Sequence, residues 1–252
     1  MTSARRTITT GTAPNYIEVD LYSESLIFTG MDTDVSRLVG AVARRIETVD
    51  RDGQPARLLV ADRAYDTTIE DLWDALTNVE RVPRWFLPVS GELKVGGRFQ
   101  FEGNAGGEIL ACQPPRSFEV TWEYGGDVSW VTVELTPEPD GLGTRLELRQ
   151  LACGPEDMWD QFGPGAVGVG WELGMMGLDR HLSADPGDTA GDQSVDPAEA
   201  VAWMASDEGH AFVAQVSDGW CTASIQAGTA LESAIAAAER TTAAYTAGEP
   251  SE

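Results

Sequence analysis

Thr67-Thr68-Ile69-Glu70-Asp71-Leu72-Trp73-Asp74-Ala75-Leu76 opens the stretch, Asp66 to Leu182, whose reading decides the fold. Ile69, Leu72, Trp73 and Leu76 recur at i, i+3, i+4 and i+7, the spacing that buries one helix face. Thr67 with Glu70, or Thr68 with Asp71, can form the reciprocal cap that starts this helix. After Arg84-Trp85-Phe86-Leu87-Pro88 the period falls to two. Leu93 and Val95, then Phe99 and Phe101, flank Gly96-Gly97, which is a two-residue hairpin signal.

The alternation continues through Phe118, Val120, Trp122 and Tyr124, interleaved with Ser117, Glu119, Thr121 and Glu123, so one face is apolar and the other polar. Gly125-Gly126-Asp127 turns the chain back into Val131, Val133 and Leu135. A turn at Pro137-Glu138-Pro139-Asp140-Gly141-Leu142-Gly143 then leads to Leu146 and Leu148. With Leu58-Leu59-Val60-Ala61 as the first strand, the count is six or seven antiparallel strands. A helical excursion follows the first and a long glycine-bearing helix follows the last.

This order resembles the helix-grip fold of the START-related superfamily, which includes birch-pollen-allergen-like proteins and polyketide cyclases. Within it, the sequence is most similar to the activator of heat-shock-protein-90 ATPase homologue-like family in its bacterial single-domain form. The likeness rests on Leu72-Trp73-Asp74-Ala75-Leu76-Thr77, Val82-Pro83-Arg84-Trp85-Phe86, Gly96-Gly97-Arg98-Phe99, Val120-Thr121-Trp122-Glu123 and Gly170-Trp171-Glu172-Leu173. The resemblance implies an α+β fold, a curved antiparallel sheet wrapped around a long C-terminal helix, here with an added α-helical tail. It also implies a cavity between the concave sheet face and that helix. The family supports many activities, so the likeness fixes fold better than function.

Outside this region the organisation is modular. Residues 1–30 lack a persistent period and read as a disordered extension. Residues 31–56 read as an N-terminal helix and linker, with Val35, Leu38, Val39, Val42, Ile46 and Val49 on one helical face. The helix-grip domain is expected over 57–182, an acidic linker over 183–195, and a helical tail over 196–252. Asp196-Pro197 reads as a helix start. Thr229 with Glu232 reads as a capping box for a helix whose stripe is Leu231, Ile235, Ala238, Thr242 and Tyr245. Such an Ala-rich tail needs a surface to pack on, either the grip domain or a second subunit of a homodimer.

The formal charge of −24, from 17 basic against 41 acidic residues, excludes the basic footprint that nucleic acids need and repels an anionic membrane surface. Cys112, Cys153 and Cys221 are odd in number and far apart, which argues for reduced thiols and, with no secretory signal visible, a cytoplasmic protein. His181 and His210 are too few for a three-imidazole zinc site; His181, near a helix end, reads as a charge-complementing cap. Gly163-Pro164-Gly165-Ala166-Val167-Gly168 matches the dinucleotide fingerprint in letters only. Asp157–Phe162 precedes it in place of a buried strand. No metal or cofactor is expected.

Gly170, Gly174 and Gly177 form one smooth stripe on the long helix, beside Trp171, Met175, Leu178 and Leu182. Such a stripe suits either close helix–sheet approach or space for a ligand. The aromatics suit either core packing or an apolar pocket. The residues expected to line the cavity are Trp73, Trp85, Phe99, Phe101, Trp122, Trp130, Phe162, Trp171, Glu172 and Met175; Arg98, Gln161 and Asn104 are further polar candidates. Without a catalytic constellation, the favoured function is binding of a small apolar molecule. One alternative is a polyketide-cyclase- or hydrolase-like enzyme using Glu172 as a cavity carboxylate. The other, implied by the family name alone, is a chaperone-associated protein. The eukaryotic activators carry a further chaperone-binding domain, which the short helix expected over 32–49 is too small to replace.

Overall fold

Gly53 adopts φ = 80°, a conformation open to glycine, while its N–H donates to Asp50 Oδ1 at 3.1 Å. This turn folds β1 (Ala43–Arg51) back onto β2 (Gln54–Tyr65). The helix expected over residues 32–49 is therefore corrected: only α1 (Val35–Gly40) is helical, capped by Asp34, and the chain is extended from Ala43. Val42, Ile46 and Val49 do sit at helical spacing, but pairing with β2 decides the conformation, because local propensity yields to tertiary partners. The computed structural model describes residues 34–51, 53–152, 156–184 and 197–247. The expectations for residues 1–30, for Asp196 as a cap and for most of the acidic linker lie outside these residues.

The sheet has eight antiparallel strands among the described residues, in the order β1-β2-β8-β7-β6-β5-β4-β3. The remaining strands are β3 (Val89–Gly91), β4 (Arg98–Phe101), β5 (Gly106–Gln113), β6 (Ser117–Tyr124), β7 (Asp127–Pro137) and β8 (Thr144–Ala152). Three of these strands, β1, β3 and β5, go beyond the sequence expectation. A register shift between Ile109 and Ala111 breaks the alternation of β5, which hides it from a period-two search. The two-residue hairpin expected at Gly96-Gly97 is corrected: the longer connection 92–97 joins β3 to β4, and Leu93 and Val95 within it are 42% and 57% exposed. Gly125 and Gly126, both at positive φ, close the tight β6–β7 turn between Tyr124 and Asp127.

Cross-strand pairs such as Phe118–Val133 and Val120–Val131 put the apolar set on the concave face. The outer face carries ion pairs instead, among them Arg45–Glu147 at 2.7 Å and Arg145–Glu138 at 2.8 Å. Exposed pairs of this kind contribute about 0–1 kcal/mol each. They keep that face hydrated and stabilise it little.

Helix α2 (Ile69–Thr77) starts at Thr68, whose hydroxyl accepts from the Asp71 N–H at 3.2 Å, one of the two caps expected. A short α3 (Glu156–Phe162) precedes α4 (Gly165–Ser183), the long helix that lies across the sheet. The strands around it are antiparallel, so the glycine fingerprint has no nucleotide-binding context. No helix among the described residues is long and apolar enough to cross a membrane.

The tail packs on this framework. It comprises α5 (Pro197–Met204), α6 (Asp207–Gln226) and α7 (Leu231–Thr246). Helix α6 lies against α4 and β1 and buries Phe212, Val213, Val216 and Trp220 almost completely. In α7 two expectations are corrected. The capping residue is Ala230 with no side-chain bond, because the Thr229 hydroxyl is taken by Ser224 at 2.8 Å. The buried stripe is Ala234, Ala237, Ala238 and Thr241: Ala238 is buried as expected and Tyr245 packs against the core, while Leu231 and Ile235 are 59% and 43% exposed. This small-residue face packs against α6 and the α3–α4 junction, where the Thr241 hydroxyl donates to the Phe162 carbonyl at 2.7 Å, and Leu231 and Ile235 are turned outward.

One glycine makes this packing possible. A Cβ on Gly168 of α4 would overlap the indole of Trp220, a side chain with no room to move. Gly168→Ala is therefore expected to destabilise the fold by about 1–3 kcal/mol through overpacking, despite the gain in helix propensity. A chemical-denaturation midpoint at or above that of the parent would disprove this.

Candidate functional site

The apolar faces of the sheet, α2 and α4 do not close on one another. They leave a cavity of about 580 Å³. Its floor is the concave face of β5 to β8, with Val120, Trp122, Val131, Val133 and Leu148. Trp171, Gly174, Met175 and Leu178 of α4 form the opposite wall, and Trp73 and Leu76 of α2, with Trp85 and Phe86 after it, form an end. Leu93, Lys94 and Val95 from the β3–β4 connection and Cys112 of β5 also line it.

A connected series of rings dominates the lining. Trp85 and Phe86 lie 5.5 Å apart between centroids, Phe86 meets Phe101 edge-on at 5.0 Å, and Phe101 meets Trp122 at 5.7 Å. Trp122 then approaches Trp171 at 4.8 Å. Partnered polar groups hold the rings: the Trp85 indole N–H donates to the Ala75 carbonyl at 2.9 Å, and that of Trp171 to Gln150 Oε1 at 2.6 Å. Gln150 in turn donates to Ser129 Oγ at 2.9 Å. These bonds fix the two indoles at the ends of the series.

Of the ten expected lining residues, the structure brings together Trp73, Trp85, Phe99, Phe101, Trp122, Trp171 and Met175. Three lie elsewhere. Trp130 is one residue from Val131, so strand alternation turns it to the outer face, where the Arg51 guanidinium covers its ring at 3.3 Å. Phe162, at the end of α3, lines a separate cavity of about 400 Å³ among α3, α4, α6 and α7. Glu172 follows Trp171 by one helical position, about 100° around the axis, and faces away. Arg98 pairs with Glu123 on the surface. Phe86, Phe118, Ile109 and Gly174 line the cavity but were absent from the expected set. For Phe86 and Phe118 the signal was available, since they stand beside Trp85 and on the same face as Trp122.

Glu172 occupies a second, polar centre on the far side of α4. Arg44 of β1 donates to both its oxygens, through Nε at 2.6 Å and through Nη2, and the Trp220 indole donates to Oε1 at 2.8 Å. Burial pushes the Glu172 carboxyl above its ordinary range, opposed by the bonds and charge of Arg44 and then by Trp220. Nearby, Arg63 pairs with Asp179, and the Tyr65 hydroxyl donates to the Met175 carbonyl at 3.2 Å. The centre ties the first strand, the long helix and the tail together. Among the described residues no Asp, Glu or His lines the apolar cavity, and Glu172, the carboxylate expected for an enzymatic reading, lies outside it.

His181 is corrected as well. Burial, together with Arg81 and Arg84, lowers its pKa to about 4, and its Nε2 accepts from Arg81 Nε at 3.2 Å. At neutral pH it is an uncharged acceptor and not a cationic cap.

Residues 66–183 match the family described as Activator of Hsp90 ATPase homolog 1-like protein. CalU16 from Micromonospora echinospora is 31% identical in its crystal structure, which is matched over 98% of its length and 70% of this chain with a TM-score of 0.50. Its solution structure is 30% identical over 97% of that chain and 75% of this one, with a TM-score of 0.57. This chain therefore belongs to the Activator of Hsp90 ATPase homolog 1-like family, and the likeness to CalU16 extends beyond the family segment. PFC0360w, an Hsp90 activator from Plasmodium falciparum, is 24% identical over 40% of this chain and 77% of its own, with a TM-score of 0.36. No chaperone partner for this chain follows from that. No curated protein matches the sequence significantly.

Proposed function

We propose that the protein binds one small apolar molecule in the cavity between sheet and long helix, and serves as a receptor or carrier for it. The observation that carries this reading is the cavity itself. Protein interiors are close-packed, with few voids larger than a water molecule. A space of about 580 Å³ lined by rings and aliphatic side chains lies instead within the range of small-molecule sites. The membership of the family supports the scaffold, and the described lining, which holds no acidic or imidazole group, favours retention over turnover.

Gly174 provides the test. A Cβ there would stand 3.5 Å from the Phe86 ring, an ordinary contact, so the first added carbon fits. The rest of a leucine would extend into the cavity. N-Phenyl-1-naphthylamine, a neutral fluorescent probe, is expected to bind the parent with one site per chain. Gly174→Leu is expected to weaken it at least about tenfold while leaving the melting temperature unchanged or raised, since leucine replaces a helical glycine. The opposite result would be no probe binding to the parent and a loss of about 1–3 kcal/mol in the variant, the response of a closed core.

A further inference from the structure

Lys94 is the single lysine in 252 residues; the other 16 basic residues are arginines. Many of those arginines pair with carboxylates, as on the outer sheet face and at Glu172. Lys94 stands apart. It sits in the β3–β4 connection between Leu93 and Val95, all three lining the cavity, and among the described residues it is the only Lys or Arg in that lining. Its side chain is 70% exposed, which places the ammonium at the mouth.

From this juxtaposition we propose that the preferred ligand is an aromatic acid: a flat, neutral ring system within the cavity, carrying one anionic group that meets Lys94 at the mouth. The proposal rests on the cavity-binding reading above and adds the chemical class and orientation of the ligand. The ring series from Trp85 to Trp171 offers faces and edges to a flat aromatic body. Among the described residues the interior of the cavity offers no counter-charge, so an ionised group is not drawn inside. At the mouth, Leu93 and Val95 contact the apolar part while the ammonium reaches the charge.

The partner that Lys94 now has does not compete strongly. Its ion pair with Glu92, at 2.8 Å, joins two side chains about 70% exposed, and such pairs hold little free energy. A ligand anion buried on its apolar side by the cavity is a better partner, because it arrives already positioned. Elsewhere the surface of a protein carrying a net charge of −24 repels an anion, so the lysine also selects the entry orientation.

Two probes that differ by one sulfonate make the test. N-Phenyl-1-naphthylamine is neutral, and 8-anilinonaphthalene-1-sulfonate has the same ring skeleton with an anion. With the full chain, Lys94→Ala is expected to weaken the sulfonate probe about three- to fivefold and leave the neutral probe unchanged; Lys94→Arg should stay within about twofold for both. Glu92→Gln should tighten the sulfonate probe, and added salt should narrow the gap in sulfonate affinity between the parent and Lys94→Ala. Comparing each variant with the parent cancels the overall repulsion. Equal affinities of the sulfonate probe for parent and Lys94→Ala, with the neutral probe still bound and still blocked by Gly174→Leu, would overturn the acid proposal and leave the cavity reading intact. If neither probe binds the parent, the cavity reading falls and this proposal with it.

Discussion

Replacing Arg44 with alanine is expected to destabilise the protein by about 3–5 kcal/mol at pH 8, the usual cost of stranding one member of a buried ion pair. At pH 5 the loss should be clearly smaller. Glu172 has a side chain 1% exposed, and Arg44 supplies its two strongest favourable interactions. Its carboxyl is already raised in the folded state, because burial outweighs those interactions. An acid raised on folding binds its proton more tightly when folded, so the ionised form costs stability above the folded pKa. That cost is recovered as the pH falls towards the unfolded value. Without Arg44 the carboxyl must rise further, which extends the window upward. Urea unfolding of parent and variant at the two pH values measures the difference. Equal losses at pH 5 and pH 8 would show that Glu172 is not the group left unpaired. In a Glu172→Gln background the same substitution should cost less, because an amide needs no counter-ion and still accepts from Trp220.

The grip fold was legible in the sequence because its signals are local. A helical stripe at Ile69–Leu76, alternation through Phe118–Tyr124 and Val131–Leu135, and glycine turns each declare themselves within a few residues. What was not legible depended on distant partners. β1 has an apolar spacing compatible with a helix, and only β2 beside it and Glu172 across from Arg44 make it a strand. β5 was hidden by its bulge. On α7 the larger apolar side chains suggested the buried face, but the face packed against α6 and the α3–α4 junction is made of alanines and Thr241.

The candidate site shows the same division. Its rings could be collected from the sequence, but their facing depends on parity. Trp130 and Glu172 were grouped with residues one position away, and one position means the opposite face of a strand or about 100° on a helix. The alternation of Val131, Val133 and Leu135 already implied that Trp130 points outward. For Glu172 no local signal existed, because its partners Arg44 and Trp220 are 128 and 48 residues away.

A chain ending at Ser183 is expected to lose cooperative unfolding and to aggregate, since it lacks the helix that completes the core. Phe212, Val213, Val216 and Trp220 of α6 are each at most 1% exposed and belong to the same cluster as Val169 and Met176 of α4. Burial of a large apolar side chain contributes about 1.5–3 kcal/mol, so these four account for roughly 6–12 kcal/mol. That is comparable with the whole stability of a typical domain, about 5–15 kcal/mol. The truncation also opens the Arg44–Glu172 pair and removes the Trp220 N–H that completes it. Two point variants separate α6 from the rest of the tail. Trp220→Ala should cost about 3–5 kcal/mol. Ile235→Asp, on the exposed face of α7, should change stability by no more than about 0.5 kcal/mol. Size-exclusion chromatography and thermal unfolding of the shortened chain give the direct readout: a monomer with the melting temperature of the full chain would mean that the sheet and α4 are self-sufficient and the tail is an appendage.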